Sequence, residues 1–173
     1  MATKDKESNV ENEKSVNLEE DKENENKNKE ENLSQMDQDV KYIKENYNFI
    51  KPINGKVTSR FGDREVLITG MTSDHKGIDI AANKGTSIEA AIDGQVEEAS
   101  KNSKYGNFIK VKTDDVLTVY AHCNKVNVSN GENIKKGDVI GTVGSTGIAT
   151  GPHLHFEIRL DNRYIDPSLI IEF

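Results

Sequence analysis

Gly151-Pro152-His153-Leu154-His155-Phe156-Glu157 alternates polar with apolar side chains from His153 onward. Alternate residues of a β-strand share a face, so His153 and His155 are expected to point one way while Leu154 and Phe156 enter a core. Two imidazoles side by side invite a metal.

Upstream of that stretch, from Lys56 on, short runs rich in Val and Ile are broken by Gly, Asn and Asp. The runs at 57–61, 77–81, 87–91, 95–100, 107–112, 117–121, 139–143 and 154–159 predict strands. Turn signals separate them, among them Asp93-Gly94, Asn130-Gly131 and Lys136-Gly137-Asp138. No helical period of useful length interrupts the series. The expected fold class is mainly β, an antiparallel sheet sandwich or partly open barrel over residues 51–173.

Before this region, Met36, Val40, Ile43, Tyr47 and Ile50 fall at helical spacing with polar residues between them. They predict one amphipathic helix over 35–48 in the segment 35–50, ended before Pro52. Its apolar stripe is expected to pack on the β-domain; a partner-binding helix is the alternative. Residues 1–38 hold 12 Asp and Glu against 6 Lys, a net −6, whereas 39–173 hold 18 acidic against 17 basic residues, a net −1. The tail, 1–34, has too little apolar surface to offset chain entropy and is expected to be a disordered acidic linker. The near-neutral remainder lacks the clustered Lys and Arg of a nucleic-acid footprint, so no nucleic-acid partner is expected.

One cysteine, Cys123, excludes an intramolecular disulfide. As a strand neighbour of His122 it should face the opposite side and fill core. No stretch approaches the ~20 apolar residues of a membrane span. Met1-Ala2-Thr3-Lys4 does not open a signal peptide. The glycines of Ile140-Gly141-Thr142-Val143-Gly144-Ser145-Thr146-Gly147 are spaced by three. With no helix following, they are read as close backbone approaches and not as a phosphate cradle.

The chain has four histidines: His75, four residues before Asp79, then His122, His153 and His155. A catalytic zinc site commonly takes three protein ligands and leaves a fourth position for water. His75, Asp79 and His155 offer two nitrogens and a carboxylate, which would leave His122 and His153 to take a proton or steady an oxyanion. His-x-x-x-Asp alone is a weak signal, and His-x-His on a strand also suits buried histidines bonded to backbone carbonyls.

Several short motifs, in order and spacing, resemble the lysostaphin and LytM-type zinc metallopeptidases. They are Val57-Thr58-Ser59-Arg60-Phe61-Gly62-Asp63-Arg64, His75-Lys76-Gly77-Ile78-Asp79-Ile80-Ala81-Ala82, Ala91-Ile92-Asp93-Gly94-Gln95-Val96, Tyr105-Gly106-Asn107, Tyr120-Ala121-His122, Val143-Gly144-Ser145-Thr146-Gly147 and Thr150-Gly151-Pro152-His153-Leu154-His155-Phe156-Glu157. The resemblance covers 52–170. It implies that His75, Asp79 and His155 hold Zn2+, that His122 and His153 flank the attacking water, and that the substrate is a peptidoglycan peptide. It also implies a narrow groove for peptide bonds next to small residues, which Arg64 and Thr146 or Thr150 would line. Departures are Asn83 and Ser87, where the family often has Pro, and Cys123, where it usually has Leu; none removes a ligand.

A LytM-type domain behind an acidic linker also resembles the stage II sporulation protein Q branch. That likeness implies an extracytoplasmic location, a membrane anchor lying N-terminal to this chain, and stage III sporulation protein AH as a partner. Two functions follow as expectations: a zinc endopeptidase cutting peptidoglycan cross-links, or a zinc-stabilised interaction module of an engulfment channel with weak or no turnover. A structural β-domain whose histidines are satisfied in the core is the third reading.

Overall fold

The runs of alternating residues pair with one another at the centre of an antiparallel sheet. A computed structural model describes residues 33–173. The acidic linker expected over 1–34 falls, except for Leu33 and Ser34, outside the described residues. The strands are β1 (Lys56–Ser59), β2 (Gly62–Asp63), β3 (Asp74–His75), β4 (Ile78–Ala81), β5 (Ser87–Glu89), β6 (Gly94–Asn102), β7 (Gly106–Thr113), β8 (Val116–Val126), β9 (Asn133–Ile134), β10 (Val139–Val143), β11 (His153–Leu160) and β12 (Arg163–Ile165). The main sheet runs β1-β4-β11-β8-β7-β6-β9, with β12 joined to β11 and β5 joined through β10 to β8. It is mainly β and antiparallel, and it does not close into a barrel. β2 and β3 form a separate two-stranded ribbon.

Register decides what the sheet buries. Phe156 lies opposite Ile78 on β4 and opposite Tyr120 on β8, while Leu154 lies opposite Ile80 and Ile158 opposite Thr118. All are buried. Each large apolar side chain so buried is worth ~1.5–3 kcal/mol relative to exposure. Tyr120 keeps its hydroxyl satisfied by accepting from the Ala91 amide at 2.8 Å. The alternating face of β11 carries His153, His155, Glu157 and Arg159, and the pleat puts Asp79 of β4 directly opposite His155.

β8 is the eleven-residue strand on which the sheet branches. One edge pairs with β7 from Val116 to Cys123; the other pairs with β11 up to Ala121 and with β10 from Cys123. His122 stands at the change of partner with a left-handed φ of 65°. Between Ile109↔Tyr120 and Asn107↔Cys123, two steps on β7 face three on β8, which is a β-bulge.

Helix α1 (Gln35–Asn46) begins after Ser34, whose hydroxyl donates to the Asp37 carboxylate and accepts from the Asp37 amide. Ile43 is fully buried. Asp39, a polar residue that periodicity assigns to the outer face, is also buried, because Arg163 grips its carboxylate bidentately at 2.8 and 2.9 Å. The helix stops two residues short of the predicted 48. Beyond it the Tyr47 hydroxyl donates to Asp115, as does that of Tyr42, and the Ile50 amide bonds the Ala91 carbonyl. Among the described residues no helix is long and apolar enough to cross a membrane.

Candidate functional site

Three elements bring three donor atoms together. β4 and β11 present Asp79 and His155 in register, and the end of β3 presents His75. His75 Nε2 lies 3.1 Å from Asp79 Oδ1 and 3.1 Å from His155 Nδ1, and His155 Nδ1 lies 2.8 Å from Asp79 Oδ1. All three residues are buried.

The opposite ring nitrogens fix the tautomers. His75 donates from Nδ1 to the Arg60 carbonyl at 2.8 Å, and His155 donates from Nε2 to Glu157 Oε1 at 2.9 Å. Their other nitrogens therefore turn lone pairs toward the Asp79 oxygen. Lone pairs this close repel one another unless a cation lies among them. Ligands at ~2.0–2.1 Å from a tetrahedral ion stand ~3.3 Å apart, close to the separations seen. The donor set fits a bound metal ion, and these residues are the group that could hold one among the described residues.

A polar support surrounds the three. Glu157 is almost fully buried and accepts from His155 Nε2, from the Tyr105 hydroxyl at 2.6 Å, and from Arg159 at 2.6 and 2.9 Å. Burial opposes its ionisation, but His155, Tyr105 and Arg159 hold its carboxyl down at about 2. Burial likewise works against Asp79, yet its close contacts with His155 and His75 keep it far below the usual carboxylate range. On the outer side, Arg64 Nη1 donates to Asp79 Oδ2 at 2.9 Å.

His122 and His153 sit beside this group with their rings 4.7 Å apart, and His122 is 5.8 Å from His155. His122 donates from Nδ1 to the Thr146 carbonyl at 2.7 Å, and His153 from Nδ1 to the Gly151 carbonyl at 2.8 Å. Each ring is thus held to the backbone through Nδ1, which leaves Nε2 as its other nitrogen. That of His153 is 3.7 Å from Asp79 Oδ1. Burial, reinforced by the neighbouring His153 and His155, pushes His122 down to about 4, so its ring is neutral at neutral pH.

The bulge makes this pairing possible. In an unbroken strand His122 would share the core face with Tyr120, whereas His155 pairs with Ala121 on the other face. The extra residue reverses the alternation and brings His122 to the His155 side. Cys123 then falls on the core side with its thiol 3.6 Å from the Tyr120 carbonyl, fully buried and pushed up to about 12 by that burial.

All four histidines open on a cleft of about 450 Å3. One wall is the loop 64–73, including Arg64, Leu67 and Met71; the other includes Ile148, Thr150 and Pro152. Arg64 and Thr150 line the cleft, but Thr146 does not. It sits behind His122, with its hydroxyl donating to the Cys123 carbonyl and accepting from the Asn107 amide. Gly147, at a left-handed φ of 74°, passes so close to the Gly106 amide that a Cβ would collide with it. These loops are thereby fixed behind the site, and no helix follows to bind phosphate.

Sequence reasoning gave no role to Glu157, Tyr105 or Arg159, and it placed Arg64 only on the groove wall, without its bond to Asp79. Glu157 carried a usable signal, being two residues past His155 and so on its face. The others depend on contacts between distant segments.

Residues 73–167 match the model of Peptidase family M23. DD-carboxypeptidase/endopeptidase Mpg of Neisseria meningitidis is 38% identical over 134 residues, which is 76% of this chain and 31% of Mpg. The chain thus spans about a third or less of the length of the curated relatives it matches. A solved structure of a zinc containing peptidase from Vibrio cholerae superposes with a TM-score of 0.64 at 32% identity, over 71% of this chain and 39% of that one. The SpoIIQ-SpoIIIAH pore forming complex gives 0.66 at 28%, over 72% and 91%. Matches this varied do not single out the stage II sporulation protein Q branch. With more than half of its length matched to the family model, the chain belongs to Peptidase family M23.

Proposed function

We propose that this chain is a zinc-dependent endopeptidase domain acting on peptidoglycan peptide cross-links outside the cytoplasm. The observation that carries the reading is the convergence of His75, Asp79 and His155 on one point with His122 and His153 beside it in a single cleft. His75 Nε2, Asp79 Oδ1 and His155 Nδ1 would hold the ion. Zinc bound there would supply Lewis acidity, polarising a carbonyl and lowering the pKa of a water to ~7.

The remaining steps belong to side chains. His122 and His153 each leave Nε2 clear of the backbone, and one of them accepts the proton that water loses on attacking the peptide carbonyl. The imidazolium returns that proton to the leaving amine as the C–N bond breaks. The Thr146 and Gly151 carbonyls fix both rings through Nδ1, so neither nitrogen must reorient during the transfer. Glu157 holds the His155 ring at Nε2. The cleft suits an extended peptide, and the name of Mpg, a carboxypeptidase/endopeptidase, agrees with that substrate class.

The test is zinc-loaded chain incubated with purified wall material, with release of new amino termini as the readout. Stoichiometric zinc without release from any cross-linked peptide would sink the enzymatic reading.

A second reading is an interaction module pairing with stage III sporulation protein AH. It is supported by the match to most of one chain of the SpoIIQ-SpoIIIAH complex. Binding of that partner by the wild-type chain, weakened in His75→Ala through loss of the metal's stabilisation of the fold, would favour it. No binding at micromolar concentrations would remove it.

A further inference from the structure

The Asp79 carboxylate is divided between two duties. Oδ1 faces His75 Nε2 and His155 Nδ1, whereas Oδ2 accepts from Arg64 Nη1 at 2.9 Å. The same guanidinium reaches two other segments. Its Nη1 is 3.3 Å from Ser59 Oγ at the end of β1, and its Nε donates to the Thr72 carbonyl in the loop 64–73 at 3.0 Å. The Arg64 amide also bonds the Ser73 carbonyl at 2.8 Å. Arg64 therefore ties the base of the loop that forms one cleft wall to a side chain of the metal group.

We propose that Arg64 is a positioning residue for the metal site: it reserves Asp79 Oδ1 for the ion by occupying Oδ2, and it couples the loop 64–73 to that ligand. The inference rests on the zinc reading above. Three features support it. A carboxylate with both oxygens free can swing to bind through either or both, and the fixed fork of a guanidinium on one oxygen prevents this. Arg64 is mostly screened from solvent, its side chain 18% exposed against 10% for Asp79, so water competes weakly for the contact. His75, another member of the group, ends the strand β3 that closes this same loop. The loop, Arg64, Asp79 and His75 form one mechanical unit.

The lysine variant separates charge from geometry. Arg64→Lys keeps the charge, but a single ammonium on a different stem cannot serve Asp79 Oδ2 and the Thr72 carbonyl as the planar fork does.

The test uses the full chain, loaded with zinc or with Co2+, and compares wild type with Arg64→Gln and Arg64→Lys. Zinc affinity is read by competition with a chromophoric chelator, and coordination by the visible absorption of the Co2+ form. Arg64→Gln is expected to weaken zinc about 10–100-fold, as for other groups that orient a metal ligand. Its Co2+ band should weaken and shift as Asp79 gains a second contact. Arg64→Lys should show the same spectral change with a smaller loss of affinity. A merely structural role would lower the melting temperature and leave the Co2+ spectrum unchanged, and that result overturns the inference. Should Arg64→Gln fail to fold, Arg64→Lys decides by the same two readouts. Wild type that takes up no zinc overturns the metal reading and this inference together. Wild type that binds zinc no more tightly than a folded Arg64→Gln overturns this inference alone.

Discussion

Replacing Glu157 with Gln tests how much the support beneath the histidines contributes. Glu157 is 1% exposed, and its two oxygens accept four hydrogen bonds from His155, Tyr105 and Arg159. Gln keeps the volume but offers one acceptor oxygen, and its amide then faces a donor on the other side. Arg159, whose side chain is 16% exposed, loses its counter-charge. Stripping one partner from a buried ion pair costs ~3–5 kcal/mol, and the residual exposure of Arg159 places this case at about 3. The carboxyl's own displacement agrees. Burial opposes ionisation and its partners more than reverse that, bringing it down to about 2. From an ordinary ~4.3, this corresponds to ~3 kcal/mol favouring the charged form. Urea or thermal unfolding of the metal-free chain should show that loss, a fall in melting temperature of ~10 °C for a domain of this size. Zinc affinity should fall about 10–100-fold as His155 loses its fixed tautomer. A Glu157→Gln chain within ~1 kcal/mol of wild-type stability and within threefold of its zinc affinity would refute the reasoning.

The other predictions concern the reactive edge and the helix. His122→Ala and His153→Ala should each keep stoichiometric zinc and slow hydrolysis about 10²–10⁴-fold; loss of metal from either would place that ring among the ligands instead. Ile43→Ala, at a fully buried position, should cost ~2–5 kcal/mol in a urea melt, and a cost below ~1 would show that the helix does not depend on that contact. The Tyr47 hydroxyl, with help from that of Tyr42 and against burial, lowers the carboxyl of Asp115. A depressed carboxyl contributes stability that is present above its unfolded value near ~3.9 and is lost as pH falls through the folded one. Unfolding midpoints of wild type should therefore drop in that acid window more steeply than those of Asp115→Asn. Parallel curves would dismiss the contact.

Much of the strand pattern was legible because alternation is a local property. The run 139–143 matches β10 to the residue, and 154–159 falls inside β11. β2, β3, β9 and β12 were not predicted, since strands of two or three residues are too short to show a period. The helix and its packing stripe were visible in the spacing, but the burial of Asp39 was not. Asp39 is inside because of Arg163, more than a hundred residues away, and only the folded chain brings them together.

The sequence by itself determined the chemistry on offer. It named four histidines and one aspartate, put His153 and His155 on one strand face, and kept the alternating Leu154 and Phe156 for the core. Tertiary structure decided which of these atoms could meet. Antiparallel register sets Asp79 against His155, the β2–β3 ribbon returns His75 to them, and the bulge at His122 reverses a strand's alternation so that its ring joins theirs. The physical reason is that a side chain's face follows from local periodicity, whereas register, bulges and long-range ion pairs arise from pairings between segments tens of residues apart.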